Sequence, residues 1–447
     1  MVQKLIKFSF ILFLLINYSA FAQELKTSFK FDFGSGKPAT GYTKVSATDI
    51  YSDATGFGFE PGATITATDN HAKDLMTSDF IGSEKPFSFS VKIPEGNYDV
   101  TVTMGDLNGT SSQTIRAENR RLMVPIVSTR QGATLTKTFT VHMRDTLIAG
   151  ENKYVKIKPR ERAYLHWDNK LTFEFNGPNP KICGLEIKPA SKDVITVFMA
   201  GNSTMVDQPD DPWAAWGQMF PSFFVPEKVV VANYAESGET ARSFIGERRL
   251  DKCLSLMKPG DYLFIEFAHN DQKEKGPGVG AFTTYKKDLE FFISETRKKG
   301  GIPVLVTSMN RRSFDSTGHI TMTLGDYPAA MRQTAQEQNV DLIELNYMSK
   351  AMYEAWGDEE SKKAFVIYPA NTFPGQTKEL ADNTHFNPYG AYEIARCVVH
   401  GLQTSNIALA KYLRKDIPPF EPAKPDAIPS FVWPFSPKTD IVKPDGN

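Results

Sequence analysis

Cysteine is scarce: in 447 residues only Cys183, Cys253 and Cys397 carry a thiol. An odd, widely spaced set cannot build a disulfide framework, and the apolar neighbours of each point to core positions. A single bridge stays open, although a chain of this length does not need one. Net charge is nearly absent too, since 51 Lys plus Arg against 52 Asp plus Glu leave -1. With no long basic run to follow a phosphate backbone, nucleic acid is excluded as a partner. Long apolar runs are also missing. The stretch from Phe8 to Ile16 is short for a bilayer, and 41% hydrophobic with 23% charged residues is a soluble globular composition.

What the N-terminus does have is a basic start, Met1-Val-Gln-Lys-Leu-Ile-Lys7, the short apolar stretch, and Ala20-Phe21-Ala22 before Gln23. These zones predict a signal peptide over residues 1–22, hence a secreted or periplasmic protein with no membrane span after cleavage. No Cys follows the apolar stretch, so a lipid-anchored cysteine is not expected.

A length of 447 residues implies two folded units plus extra segments. From Thr27 to about Pro189, period-two alternation and turn residues predict strands, as in Phe29–Gly34, Phe87–Ile93, Tyr98–Thr103, Leu171–Phe175 and Ile182–Ile187. Pro94-Glu-Gly-Asn97 reads as a hairpin turn between two of them. Residues 24–190 are therefore expected to form an all-β sandwich of jelly-roll type without a helix. Beyond Ala190 the pattern changes. Apolar strands near Ile195–Met199, Val229–Tyr234, Tyr262–Phe267, Pro303–Ser308 and Leu342–Leu345 alternate with amphipathic helices. One helix is expected over Phe282–Lys299 and a last one over Pro388–Leu413. This βαβα order predicts a parallel sheet covered by helices on both faces over residues 191–415. Residues 416–447 carry eight prolines, which rule out regular structure. The interleaved Phe431, Trp433 and Phe435 predict a segment lying extended across a surface.

Polar clusters fall at the strand exits, where open parallel sheets bind ligands. Gly201-Asn202-Ser203 follows the first strand and places Ser203 at an expected helix start, where a plain N-cap is the competing reading. Gly238 follows the second strand, where a turn glycine is equally good. Ala268-His269-Asn270-Asp271 follows the third and concentrates more donors and acceptors than a turn requires. Asp382-Asn-Thr-His385 precedes the last helix. In combination these supply a hydroxyl nucleophile, an imidazole, a carboxylate to orient it and donors for an oxyanion, the requirements of acyl transfer. The G-x-S-x-G elbow is absent, which disfavours the α/β-hydrolase form of this chemistry.

In these four ordered blocks the segment from Val194 to Leu413 resembles the SGNH (GDSL-like) hydrolases, and among them the rhamnogalacturonan acetylesterases. Trp213 to Trp216-Gly217, Val304 to Phe314 and His385-Phe-Asn-Pro-Tyr-Gly-Ala391 add to the likeness. The resemblance implies a flavodoxin-like three-layer α/β/α domain and a serine carboxylic-ester hydrolase needing no cofactor or metal. It makes Ser203 the nucleophile, His385 the base and Asp382 its orienting carboxylate. The oxyanion would be held by the Ser203 and Gly238 N–H groups and the Asn270 side chain; losing one such donor typically costs about 3 kcal/mol. Asn202 and Ala268 depart from the Asp and Gly usual in the family. The β-rich half resembles galactose-binding-like domains through Phe31-Asp-Phe-Gly34 and Pro94-Glu-Gly-Asn-Tyr98, and is expected to buttress its neighbour or to bind sugar.

The implied partner is an acetylated polysaccharide or oligosaccharide. Arg242, His269 and Arg311 are expected to line its site, with Arg312 a further guanidinium past a strand end. Three competing readings stay open. One is a metal hydrolase using His269, Asp271, Asp382 and His385, for which no H-E-x-x-H or paired-Cys spacing exists. Another is a non-catalytic carbohydrate-binding protein. The last is an esterase of acetyl-xylan, sialate or lipid esters.

Overall fold

The computed structural model describes residues 26–62 and 64–445; the expected leader, residues 1–22, lies outside them. The first half is an all-β sandwich of a seven-stranded and a five-stranded sheet. Alternate residues of each strand point inward, so that on Phe87–Lys92 the side chains Phe87, Phe89 and Val91 are all buried. Phe89 sits at the centre of the core with its ring edge-on to Phe31, Phe33 and Phe59, centroids 5.2, 5.0 and 5.2 Å away. Each such pair adds about 0.5–1.5 kcal/mol beyond the area it buries.

The expected hairpin at Pro94 does not form. Phe87–Lys92 pairs with Lys170–Asn179 and Phe57–Phe59 in the five-stranded sheet. Gly96–Asp106 pairs with Ala133–Met143 and Lys181–Pro189 in the seven-stranded one. The Pro94 turn instead carries the chain across the sandwich, pinned where the Tyr98 hydroxyl donates to the Pro94 carbonyl at 2.8 Å. Strands facing each other across a core share the same alternation as strands side by side, so periodicity alone cannot separate the two arrangements. Among the described residues this half also holds one short α-helix, Leu75–Ser78, capped by the Asp74 carboxylate, where none was expected.

The second half contains five parallel strands in the spatial order Val229–Asn233, Ile195–Gly201, Tyr262–Glu266, Ile302–Val306, Asp341–Ile343. In chain order this is 2-1-3-4-5, the flavodoxin-like arrangement, with its switch point beside the first strand. Val197 and Met199 face one helical layer while Phe198 and Ala200 face the other, and all four are buried. That double burial explains why these strands read as continuous apolar runs.

Three boundaries differ from expectation. A single π turn, Ala281–Tyr285, precedes helix Lys286–Lys298, while the predicted face of Tyr285, Leu289, Phe292 and Thr296 is buried. Leu345 opens helix Leu345–Ser361 instead of ending a strand. The last helix spans only Pro388–Thr404, followed by a 3-10 turn at Ala408–Tyr412. Its start is fixed by Asn387, whose side chain accepts from the Gly390 N–H at 3.1 Å. All three cysteines are buried and unbridged.

Candidate active site

Strand Ile195–Gly201 ends under a tight turn that carries Ser203. The Asn202 carbonyl accepts from Met205 and Val206 N–H groups, and its side-chain oxygen accepts from the Thr204 N–H at 3.1 Å and the Thr204 hydroxyl at 2.8 Å. Asn therefore supplies the turn-closing acceptor that an Asp would. The turn does not continue into the helix expected there; the next helix is Trp216–Met219.

Asp382 and His385 lie on strand Leu380–Phe386, paired with Phe365–Tyr368 in a small antiparallel sheet that the sequence did not suggest. One Asp382 oxygen accepts from the Thr384 and His385 N–H groups at 2.7 and 3.0 Å, and the other lies 2.8 Å from His385 Nδ1. His385 Nε2 in turn lies 2.8 Å from Ser203 Oγ, bridging 182 positions of sequence. An ionised carboxylate only accepts, so it places the imidazole proton on Nδ1 and leaves Nε2 to accept from the serine hydroxyl. Burial pushes the Asp382 carboxyl up, but the hydrogen bonds from the His385 ring and from the His385 and Thr384 N–H groups outweigh it and hold it at about 2. Trp213 packs its ring edge-on to His385 at 5.8 Å, which restricts imidazole tilt.

The other two blocks converge on the same strand ends. The Glu236 N–H donates to the Gly201 carbonyl at 3.2 Å, tying the Gly238 loop to the Ser203 turn. Gly238 has φ +82°, a conformation that favours glycine. Asn270 Nδ2 donates one hydrogen to the Glu239 carbonyl at 3.0 Å, so its amide abuts this loop with a second hydrogen in hand. Ala268 keeps out of the positive-φ region, which is why alanine is tolerated there. Asp271 accepts from the Ala241 N–H at 2.8 Å, and burial raises its carboxyl to about 7. His269 is buried with neither ring nitrogen hydrogen-bonded. Burial first, then the nearby Arg311 guanidinium, push it well below its usual value and keep it neutral.

The three arginines separate. Arg311 donates to the His269 carbonyl at 3.3 Å and feels the Asp382 charge, so it borders the site. Arg312 is a structural clamp, donating to Asn383 and Ser361 and pairing with Asp358. Arg242 is half-exposed and pairs with Asp288 at 3.3 Å, with no contact to the triad. Residues that the sequence reading did not assign to the site also reach it. Trp213 was visible only as part of a Trp-rich motif. Lys443, from the Pro-rich segment, lies 3.4 Å from Asp382. Among the described residues, Glu161, His166 and Glu236 are close enough to hold a metal ion, yet both Glu161 oxygens already accept from Arg249.

Glu266, at the end of the third parallel strand, accepts from Trp216 Nε1 at 2.9 Å and from the Thr204 hydroxyl at 3.0 Å, bracing the Ser203 turn from below. Burial raises its carboxyl from 4.5 to about 7, with the hydrogen bonds only partly offsetting this. The folded chain therefore holds this proton more tightly than the unfolded one. The resulting stability is full below the unfolded value of 4.5 and is lost as pH rises through about 7. The group accounts for roughly 3 kcal/mol at most. Chemical denaturation of Glu266→Gln is expected to show a flatter profile between pH 5 and 9, with the variant more stable than wild type at pH 9. Parallel profiles would contradict this account.

A 2-1-3-4-5 parallel sheet with a serine, an imidazole and a carboxylate joined at its strand exits defines a serine hydrolase of the flavodoxin-like type. Residues 195–391 match the GDSL-like lipase/acylhydrolase family, and residues 29–149 match the galactose-binding-like domain of the β-agarase/YXIM esterase type. The chain is 42% identical over 224 residues to rhamnogalacturonan acetylesterase RhgT of Bacillus subtilis, covering 50% of this chain and 95% of that protein. It is 27% identical over 388 residues to the uncharacterized esterase YxiM of the same species, covering 85% of this chain and 92% of that protein. A crystal structure of the Bacillus subtilis YxiM protein aligns with a TM-score of 0.44 at 25% identity, covering 85% of this chain and 99% of that one. The chain belongs to the GDSL-like lipase/acylhydrolase family. It is a carboxylic-ester hydrolase related to the rhamnogalacturonan acetylesterases, with an N-terminal galactose-binding-like domain.

Proposed function

We propose that the protein is a secreted or periplasmic acetylesterase that removes acetyl groups from rhamnogalacturonan through an acyl-enzyme on Ser203. The observation that carries this reading is the continuous chain Ser203 Oγ, His385 Nε2, His385 Nδ1, Asp382, with both links at 2.8 Å. Ser203 Oγ attacks the acetyl carbonyl as its proton passes to Nε2. The oxyanion is held by the Ser203 and Gly238 N–H groups and Asn270 Nδ2. Collapse expels the sugar oxygen, which takes the proton from Nε2 and leaves acetyl-Ser203. Water activated by the same nitrogen then releases acetate and restores the hydroxyl. Asp382 stays ionised throughout, in keeping with a carboxyl held at about 2. The neutral His269 and the bordering Arg311 are well placed to meet sugar hydroxyls beside the triad.

Both nitrogens of His385 are engaged, by Asp382 and Ser203, which favours the serine route over a metal-bound water. Rhamnogalacturonan is preferred over xylan, sialate or lipid esters because of the similarity to RhgT over nearly that protein's full length. Export rests on the basic, apolar and small-residue zones of residues 1–22. The test is acetate release from acetylated pectins, xylans and p-nitrophenyl acetate, with and without chelator or a serine-directed phosphonate. Activity highest on rhamnogalacturonan, unaffected by chelator and abolished by the phosphonate, is expected. Preference for acetyl-xylan would overturn the substrate assignment, and loss in chelator the mechanism.

A further inference from the structure

The triad is covered. Ser203, His385 and Asp382 are only 3%, 1% and 4% exposed, although their chemistry requires a polymer ester to reach Ser203. The cover is the Pro-rich segment. It is anchored where Trp433 stacks on Arg116 and where Asp211 accepts from the Trp433 indole and the Ser436 N–H. It then crosses the cleft. Trp213 Nε1 donates to the Asp440 carbonyl at 2.8 Å, Lys443 lies 3.4 Å from Asp382, and Asp445 pairs with Arg160. A Cβ added to Gly238 would lie 3.1 Å from Asp445 Cβ, so this acidic residue sits against the loop that supplies an oxyanion donor.

Arg160 and Lys158 come from outside the parallel-sheet half. They lie on and just before the 3-10 turn Pro159–Ala163, which links strands Ala133–Met143 and Lys170–Asn179 of the sandwich. Arg160 Nη2 donates to Glu236 at 2.7 Å and to the Ser237 carbonyl at 2.8 Å, leaving Nη1 for Asp445. Lys158 donates to the same Ser237 carbonyl at 2.7 Å and pairs with buried Glu239 at 2.5 Å. Two cations are thus bolted to the Gly238 loop, with the free edge of one guanidinium turned toward a carboxylate.

We propose that Arg160, supported by Lys158, is an anionic subsite for the carboxylate of a uronate ring in the substrate, and that Asp445 fills it until substrate arrives. The inference rests on the reading of the chain as an acetylesterase of an acidic polysaccharide. The guanidinium fork suits a carboxylate, and on an acetylated uronate the carboxylate and the ester share one ring. Asp445 and Lys443 are 63% and 45% exposed, so their ion pairs hold the cover weakly and an incoming carboxylate can exchange for Asp445.

The test compares kcat/KM for acetylated rhamnogalacturonan oligosaccharides with the same oligosaccharides after reduction of their carboxyls to alcohols. The wild type is expected to prefer the uronate form about tenfold, the span of a modest charge-assisted contact. Arg160→Gln should bring that ratio close to one. Arg160→Lys, which keeps a cation against buried Glu236 should the Gln variant fail to fold, should fall between. Asp445→Asn should lower KM for the uronate form about threefold or more by removing the competitor. A wild-type ratio near one, a ratio unchanged in both Arg160 variants, or an unchanged KM in Asp445→Asn overturns the subsite. Hydrolysis of p-nitrophenyl acetate without acetate release from either oligosaccharide overturns instead the substrate reading on which it rests.

Discussion

Ser203→Ala is expected to lower acetate release by about 10^4-fold or more while leaving the fold intact, because it deletes the oxygen proposed to form the acyl-enzyme. The side chain is small and held by one hydrogen bond, to His385 Nε2, and the turn around it is closed by Asn202 and Thr204. Circular dichroism and melting temperature should therefore match the wild type. Asn270→Ala provides the contrast. It removes one of three proposed oxyanion donors and leaves the nucleophile, so a loss of about 10^2 to 10^3 in kcat with activity still measurable is expected. Equal losses in the two variants, or residual turnover by Ser203→Ala above a hundredth of wild type, would be incompatible with the proposed division of roles.

Arg121→Ala is expected to destabilise the protein by about 3–5 kcal/mol. Arg121 lies on the sandwich and reaches Asp207, just past the Ser203 turn, through Nε and Nη2 at 2.9 Å each. Both side chains are essentially without solvent. Removing the guanidinium leaves a buried carboxylate whose remaining contact is Asn233 Nδ2 at 2.8 Å. Several parallel contacts cross the same boundary. Arg249 pairs with Glu161, Lys252 with Glu95 at 2.6 Å, and His142 Nε2 lies 2.9 Å from the Tyr234 hydroxyl. The sandwich thus buttresses the hydrolase. Loss of one buried pair should lower the melting temperature by roughly 4 °C. Adding Asp207→Asn to Arg121→Ala should recover part of the loss, because the uncompensated charge is then gone. A shift below 1 °C would mean that the two halves are merely tethered.

The sandwich also touches the catalytic apparatus. Arg120 donates to the Trp213 carbonyl at 2.5 Å, and the Trp213 ring packs on His385. The fold places a positioning contact for the imidazole under the control of the turn between strands Ser111–Ala117 and Arg121–Thr129, nearly a hundred residues earlier in the chain.

Both architectures, the sandwich and the parallel sheet, were legible in the amino-acid sequence, because burial periodicity is a local property. Alternating Phe and Val made the sandwich strands, and uninterrupted apolar runs made the parallel ones. The sequence also marked Ser203, Gly238, Asn270, Asp382 and His385, since polar side chains concentrated at strand exits stand out against those runs. Which strands pair across the Pro94 corner emerged only from the folded chain, because facing strands and adjacent strands carry the same alternation. Tertiary structure alone lifted Asp382 and His385 onto a strand beside Ser203, separated Arg311 from Arg242, and laid Lys443 and Asp445 over the triad. Those outcomes depend on contacts between residues hundreds of positions apart, and no local pattern encodes the distance between them.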